Sequence, residues 1–221
     1  MIRVLAFLVR RPDLSRDAFR AHYEGVHVPT ALPLLAGVSR YVRHHVREEL
    51  HGRPGFDCMT ALEYRDLAAM DRLRARLEGP EGEAVRSDEL RFMDKPRNAF
   101  FPVEAVRGSG AARAAPAPAE LLVCVSRPAG AAPEAFRARF AEECLPALRA
   151  ALGRPAACRP QWASAGPTRG EGYDAVVELG AAGADAIPAW AAELEGSGAR
   201  VVAVRVSAHA TALPPSSDGG A

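Results

Sequence analysis

Lysine is almost missing from this 221-residue chain: of its 28 basic residues all but Lys95 are arginine, a bias of composition that carries no functional meaning. A surplus of either charge is missing too. The 28 basic residues face 27 acidic ones, for a net charge of +1. Nucleic-acid binding draws on a basic excess that releases counterions from phosphates, so no nucleic-acid partner is expected. The N-terminal apolar run from Val4 to Val9 stops at Arg10-Arg11, far short of the ~20 residues of a membrane span. No membrane association is expected, and the run reads as a buried strand. The four cysteines form no CxxC pair and no metal-ligand spacing, which fits a reduced, cytoplasmic protein without structural zinc. There is no G-x-G-x-x-G opening a helix, no Walker loop and no G-x-S-x-G elbow, so no cofactor is expected.

What is present is a pattern that recurs. Residues 108–118 are small and Pro-spaced and read as a linker, and 214–221 as a disordered tail. The segments between them, 1–107 and 119–213, share one register. Asp17-Ala18-Phe19-Arg20-Ala21 lies 117 positions before Glu134-Ala135-Phe136-Arg137-Ala138. The same offset puts His27 over Cys144, Pro29 over Pro146 and Phe56-Asp57 over Tyr173-Asp174. The alternative to duplication is that two Ala/Arg-rich helices match by composition.

The first segment reads strand (2–10), helix, strand (38–47), strand (56–64), helix (67–77), strand (98–106). Asp13 or Ser15 can cap the first helix, on which Phe19, Tyr23 and Val26 share a face. In the second strand Val38, Val42, His44 and Val46 fall on one side and Tyr41, Arg43 and His45 on the other. The second segment repeats the order: strand 120–126, helix 134–151, strands near 158–164 and 173–179, a short helix near 184–195, and strand 199–210. The expected fold is α+β, with two ferredoxin-like βαββαβ units in tandem. Each unit leaves one sheet face bare, and packing the two together gives an internal α/β barrel of the dimeric type.

Three segments carry a family resemblance. Phe19-Arg20-Ala21-His22-Tyr23-Glu24-Gly25-Val26-His27-Val28-Pro29 resembles the F-x-x-[YH]-[WY]-x-x-x-H-x-P helix of the EthD-like family. Arg40-Tyr41-Val42-Arg43-His44-His45-Val46 resembles that family's second strand, and Asp88-Glu89-Leu90-Arg91-Phe92-Met93-Asp94 its D-E-x-x-F-x-D segment. The resemblance spans roughly residues 2–105. It implies the dimeric α/β-barrel superfamily, in which small organic ligands bind, and it implies a degenerate second copy, since Cys144 stands where the histidine is expected.

Five of the six histidines and nine of the fourteen aromatic residues lie in the first segment, so one pocket is expected there. His27 sits about 80° around the helix from Phe19, at the edge of the buried stripe. It is the expected catalytic base or acid, against the alternative of a helix-terminal imidazolium. Asp94 is the carboxylate expected to orient it; for Asp88 and Glu89 helix capping is the simpler reading. His22, Tyr23, Tyr41, His45 and Phe92 are expected to line the substrate site. His44 reads as a core histidine and His51 as an exposed loop residue. A metal site drawn from His22, His27 and Asp94 fails on an α-helix, where residues five apart do not share a face, so no metal is expected. By resemblance the function is binding of an aromatic or polyketide-like small molecule, with cofactor-independent oxidoreductase, cyclase or lyase chemistry. A homodimer and a partner oxygenase fit the same resemblance. The alternative is a ligand-binding accessory protein without turnover.

Overall fold

The computed structural model describes residues 1–106, 119–153, 158–164, 172–180 and 183–213. The expected linker at 108–118 and tail at 214–221 lie outside the described residues. The first unit runs β1 (Ile2–Leu8), α1 (Arg16–His22), α2 (Val28–Ala31), β2 (Val38–His51), β3 (Cys58–Tyr64), α3 (Leu67–Glu78), α4 (Glu83–Phe92) and β4 (Ala99–Ala105). The second runs β5 (Leu121–Ser126), α5 (Pro133–Arg139), α6 (Leu145–Ala151), β6 (Cys158–Ala163), β7 (Ala175–Leu179), α7 (Ile187–Glu195) and β8 (Arg200–Ala210). Both units are βαββαβ, as expected.

The eight strands close into one barrel in the order β1-β3-β2-β8-β5-β7-β6-β4. Each unit contributes a four-stranded antiparallel sheet, and the seams are β2 with β8 and β4 with β6. The β2–β8 seam explains why β2 runs to His51 and not to 47: its outer half is paired from Val42↔Ala210 to His51↔Ala203. A β-bulge interrupts the pairing of β2 with β3 between Val38 and Arg40. The extra residue shifts the alternation, so Val38 packs on the helix side with Tyr41 and not, as the simple alternation has it, with Val46 inside the barrel.

The interior is apolar for most of its length, with Leu5, Phe7, Met59 and Phe101 of the first unit against Leu122, Val176, Val202 and Val204 of the second. One stretch is ionic. Arg3 bonds Glu63 at 2.8 Å and also Glu178, Arg159 bonds Glu63 at 2.9 Å, and Gln161 bonds Glu178 at 2.7 Å. These contacts tie the two units through side chains where the strands tie them through backbone.

Both first helices contain a wide turn at matching places. Ser15 starts α1, its hydroxyl accepting from the Ala18 amide at 3.1 Å. At Tyr23–His27 the helix widens into a π turn, in which the Val28 amide bonds the Tyr23 carbonyl five residues back. In the second unit Phe140–Cys144 does the same, with the Leu145 amide on the Phe140 carbonyl. Prolines explain both. Pro29 and Pro146 have no amide hydrogen, and their rings clash with the carbonyl four residues earlier. Widening the preceding turn relieves the clash while the helix continues.

That turn changes which residues face inward. The extra residue puts Val26, expected on the buried stripe, into solvent at 43% exposure, while His27 is buried at 5%. It also brings His22 and His27, five apart, to one face, correcting the α-helical spacing argument.

Candidate active site

A cavity of about 450 Å³ lies between the first unit's sheet and its helices. Its floor is the outer face of β1, β2 and β3, with Ala6, Tyr41, Thr60 and Leu62; its roof includes Tyr23, His27, Leu73, Val85 and Met93. Most of the wall is apolar. Lys95, Arg74 and Arg86 sit at the rim, each with a carboxylate partner: Glu89, Asp71 and Glu83.

His27 is held by Asp88. Its Nδ1 lies 3.0 Å from Asp88 Oδ2, while His22 Nε2 lies 2.8 Å from Oδ1 of the same carboxylate. Asp88 is on α4, an element that the sequence reading did not resolve as a helix. It is 5% exposed and so is not the solvated capping residue expected. A carboxylate only accepts, so Nδ1 of His27 carries the hydrogen and Nε2 carries the lone pair. Burial pushes the His27 imidazole below its ordinary value, and the Asp88 bond offsets this only in part. The ring is therefore neutral at pH 7, with a basic nitrogen left for a ligand.

Asp94 does not orient His27. The chain leaves α4 at Met93, and the Asp94 amide bonds the Val9 carbonyl. Its carboxylate lies 3.9 Å from Arg97. Asp88, one turn before the end of α4, faces the π turn, whereas Asp94 lies on the extended segment beyond the helix.

Of the other expected contacts, Tyr23 and Tyr41 line the cavity and His22, His45 and Phe92 stand behind it. Phe92 is fully buried and packs on Phe19, Tyr23, His22 and His27. His45 donates Nε2–H to Glu24 at 2.6 Å. Glu24 also takes Arg43 at 2.6 Å, and Arg43 bonds Thr211 of the second unit at 2.6 Å. Burial disfavours the Glu24 charge, yet the His45 and Arg43 bonds outweigh it and hold the carboxyl at about 2. His44 bonds the Met59 carbonyl at 3.3 Å, as a core histidine. His51 is not a loop residue: it ends β2 and meets Glu195 at 3.0 Å.

Sequence reasoning missed Thr60, Glu24 and Arg43. Tyr41 donates to the Tyr23 hydroxyl at 3.3 Å, and Tyr23 meets Thr60 at 2.9 Å. Burial raises both tyrosines above their ordinary value, so all three hydroxyls stay protonated. A polar residue on the buried strand 58–64 was the available signal for Thr60; the Glu24 and Arg43 contacts join distant elements and left none.

The second unit fills the matching space. Cys144 replaces His27, its carbonyl accepting from Trp190 Nε1 at 3.1 Å. Trp162, Trp190, Phe136 and Phe140 pack there with Leu145 and Leu148. Among the described residues no group of three His, Cys, Asp or Glu side chains could hold a metal ion, and no helix is long and apolar enough to cross a membrane.

Comparison with known proteins agrees with this fold. None of the curated protein sequences matches the chain. A candidate chlorite dismutase of known structure has a TM-score of 0.51 at 12% identity, covering 94% of this chain and 95% of that one. An anthrone oxidase-like protein has a TM-score of 0.50 at 10% identity, covering 100% and 96%. A candidate monooxygenase from Lactobacillus acidophilus has a TM-score of 0.47 at 12% identity, covering 96% and 99%. At these identities the likeness of the first two is one of fold alone. The EthD domain family matches residues 11–96, the stretch that holds His22, His27, His45 and Asp88. Residues 11–96 thus match the EthD domain family, within the first half of an internal α/β barrel.

Proposed function

We propose that the cavity of the first unit binds an uncharged, mostly apolar small molecule of aromatic or polyketide-like kind, and that His27 acts on it as a base. One observation carries this: in an apolar cavity, His27 has Nδ1 fixed on Asp88 and Nε2 free. Apolar walls with the nearby cations already paired favour a neutral ligand body. Nε2 would take a proton from an activated C–H or a phenol, and Asp88 would stabilise the imidazolium that forms. The oxygen that gains charge would sit against the Tyr23, Tyr41 and Thr60 hydroxyls. This chemistry needs a proton acceptor and hydroxyl donors, both supplied by the chain. The same proposal takes the second unit as a duplicated copy that serves as packing partner.

The test is a thermal-shift screen of phenols, anthrones and quinones on the wild type and His27→Ala, followed by turnover of every compound that binds. Binding with turnover that His27→Ala abolishes supports the base. Binding with no turnover in the wild type favours the accessory, ligand-carrying reading. Turnover unchanged in His27→Ala refutes the assignment.

A further inference from the structure

Asp88 is shared between two histidines. Its Oδ2 meets His27 Nδ1 at 3.0 Å and its Oδ1 meets His22 Nε2 at 2.8 Å, so both carboxylate oxygens are engaged. Asp88 and His27 are buried. His22 stands differently: it does not line the cavity, and its side chain is 25% exposed. Its ring stacks on Phe92 with centroids 4.7 Å apart, and His27 packs on the same phenyl ring at 5.1 Å. The function argued above uses His27 and Asp88 and gives His22 no part.

The second unit keeps the wide turn without these groups. Its π turn, Phe140–Cys144, is intact. Position 139, which matches His22 at the 117-residue offset, is an exposed arginine that bonds Glu143 at 3.3 Å. Cys144 stands at the His27 place, and among the described residues no helix of that unit matches α4. The turn therefore follows from the proline and needs neither a histidine nor a carboxylate beside it. In the first unit the same turn brings residues 22 and 27 to one face, and one buried carboxylate meets both. That arrangement is an addition to the fold and not a requirement of it.

We propose that His22 is a positioning residue for the His27 base: its Nε2–H anchors Oδ1 of Asp88, so that Oδ2 keeps His27 in the tautomer with hydrogen on Nδ1 and the lone pair on Nε2. The proposal rests on the reading of His27 as a base and adds a residue to it. A carboxylate held at one oxygen can turn about its Cβ–Cγ bond; one held at both cannot turn without breaking a bond. The tautomer of an imidazole follows the bond that its other nitrogen makes, so the orientation of Asp88 decides which nitrogen of His27 is basic. Without His22 a buried acceptor loses its partner, and the carboxylate turns or draws in water to regain one. Either change loosens its hold on the Nδ1 hydrogen and admits the other tautomer, whose Nε2 carries a hydrogen and cannot accept a proton. His22 thus acts on the base through Asp88, without touching the substrate.

The test is NMR of the histidine ring nitrogens, with the His27 signals assigned by their loss in His27→Ala. His22→Phe keeps a ring on Phe92 and removes the donor. His22→Gln removes the ring and keeps a donor, its side-chain amide. Wild type and His22→Gln should show His27 with hydrogen on Nδ1 alone, and His22→Phe should show both tautomers in exchange. On a compound that the wild type converts, kcat of His22→Phe should fall about tenfold at unchanged KM, and that of His22→Gln should stay within about threefold of the wild type. A merely structural His22 would lower the melting temperature and leave the His27 ring nitrogens as they are. Unaltered His27 signals in His22→Phe, an unchanged kcat in that variant, or a His22→Gln no closer to wild type than His22→Phe would overturn the proposal. The ring signals need no substrate, so they test the hold of His22 on His27 even where the turnover screen refutes His27 as the base.

Discussion

Asp88→Asn and Asp94→Asn make the sharpest comparison, because they separate the two carboxylates that compete for one role. Asp88 accepts from His22 at 2.8 Å and from His27 at 3.0 Å while buried. An asparagine can still accept on Oδ1, but its amide must face the other imidazole, which then has to offer a lone pair. One charge-assisted bond is lost, at about 1.5–3 kcal/mol. For a chain of this size 1 kcal/mol moves the melting temperature by about 2–4 °C, so the loss is roughly 3–12 °C. Asp94 faces Arg97 at 3.9 Å from a partly exposed position, and its asparagine should cost no more than about 0.5 kcal/mol. Differential scanning calorimetry of both variants reads this directly. Ring NMR adds a second readout: losing the Asp88 charge should lower the His27 titration further, while Asp94→Asn leaves it in place. Equal melting losses, or a larger one for Asp94→Asn, would refute the assignment of Asp88 as the group that holds His27.

Acid should destabilise the fold early. Burial pushes His27, His44 and His45 below the ordinary value of 6.5, so below about pH 6.5 the unfolded chain binds more protons than the folded one and stability falls. Glu24, held at about 2, stays ionised throughout that window. Urea midpoints should be lower at pH 5.5 than at pH 7.5, and a flat or rising midpoint would contradict this. Trp190→Ala should cost about 3–5 kcal/mol by opening a cavity in the second unit, measured by chemical denaturation; a loss under 1 kcal/mol would mean that this side chain does not fill the space. Glu63→Gln removes the partner that Arg3 and Arg159 share and should cost about 3 kcal/mol or more. An unchanged denaturation midpoint would show that the ionic stretch inside the barrel contributes nothing.

Much of the architecture was legible from local pattern. The apolar runs of β1 and β5 and the Leu67–Leu77 spacing of α3 each rest on residues close in sequence, where periodicity is a direct physical signal. The failures cluster where a backbone irregularity changes phase. The Val38 alternation broke at a bulge, and the Phe19–Tyr23–Val26 stripe broke at a π turn that promotes His27 in place of Val26. Pro29 does not end the helix, because its missing amide is met by the wider turn before it. The site was half legible for a related reason. Tyr23 and Tyr41 sit on elements whose inward face can be counted. Asp88 reaches His27 from an element 61 positions away, and no spacing rule connects the two.

Closure of the barrel within one polypeptide has a consequence for how the molecule can change. A barrel assembled from two copies of one chain must carry every substitution twice, so a replacement useful in one half is imposed on the other. Here the halves are free to diverge. Trp190 closes over the Cys144 position while His27 keeps an open cavity at the matching place. Arg43, behind that cavity, reaches across the seam to Thr211. The half whose matching place is filled therefore still acts on the half that keeps the His27 cavity: drift along β8 past Ala210 would be felt at Glu24 and His45, so tolerance to mutation in the second half should fall steeply toward that seam.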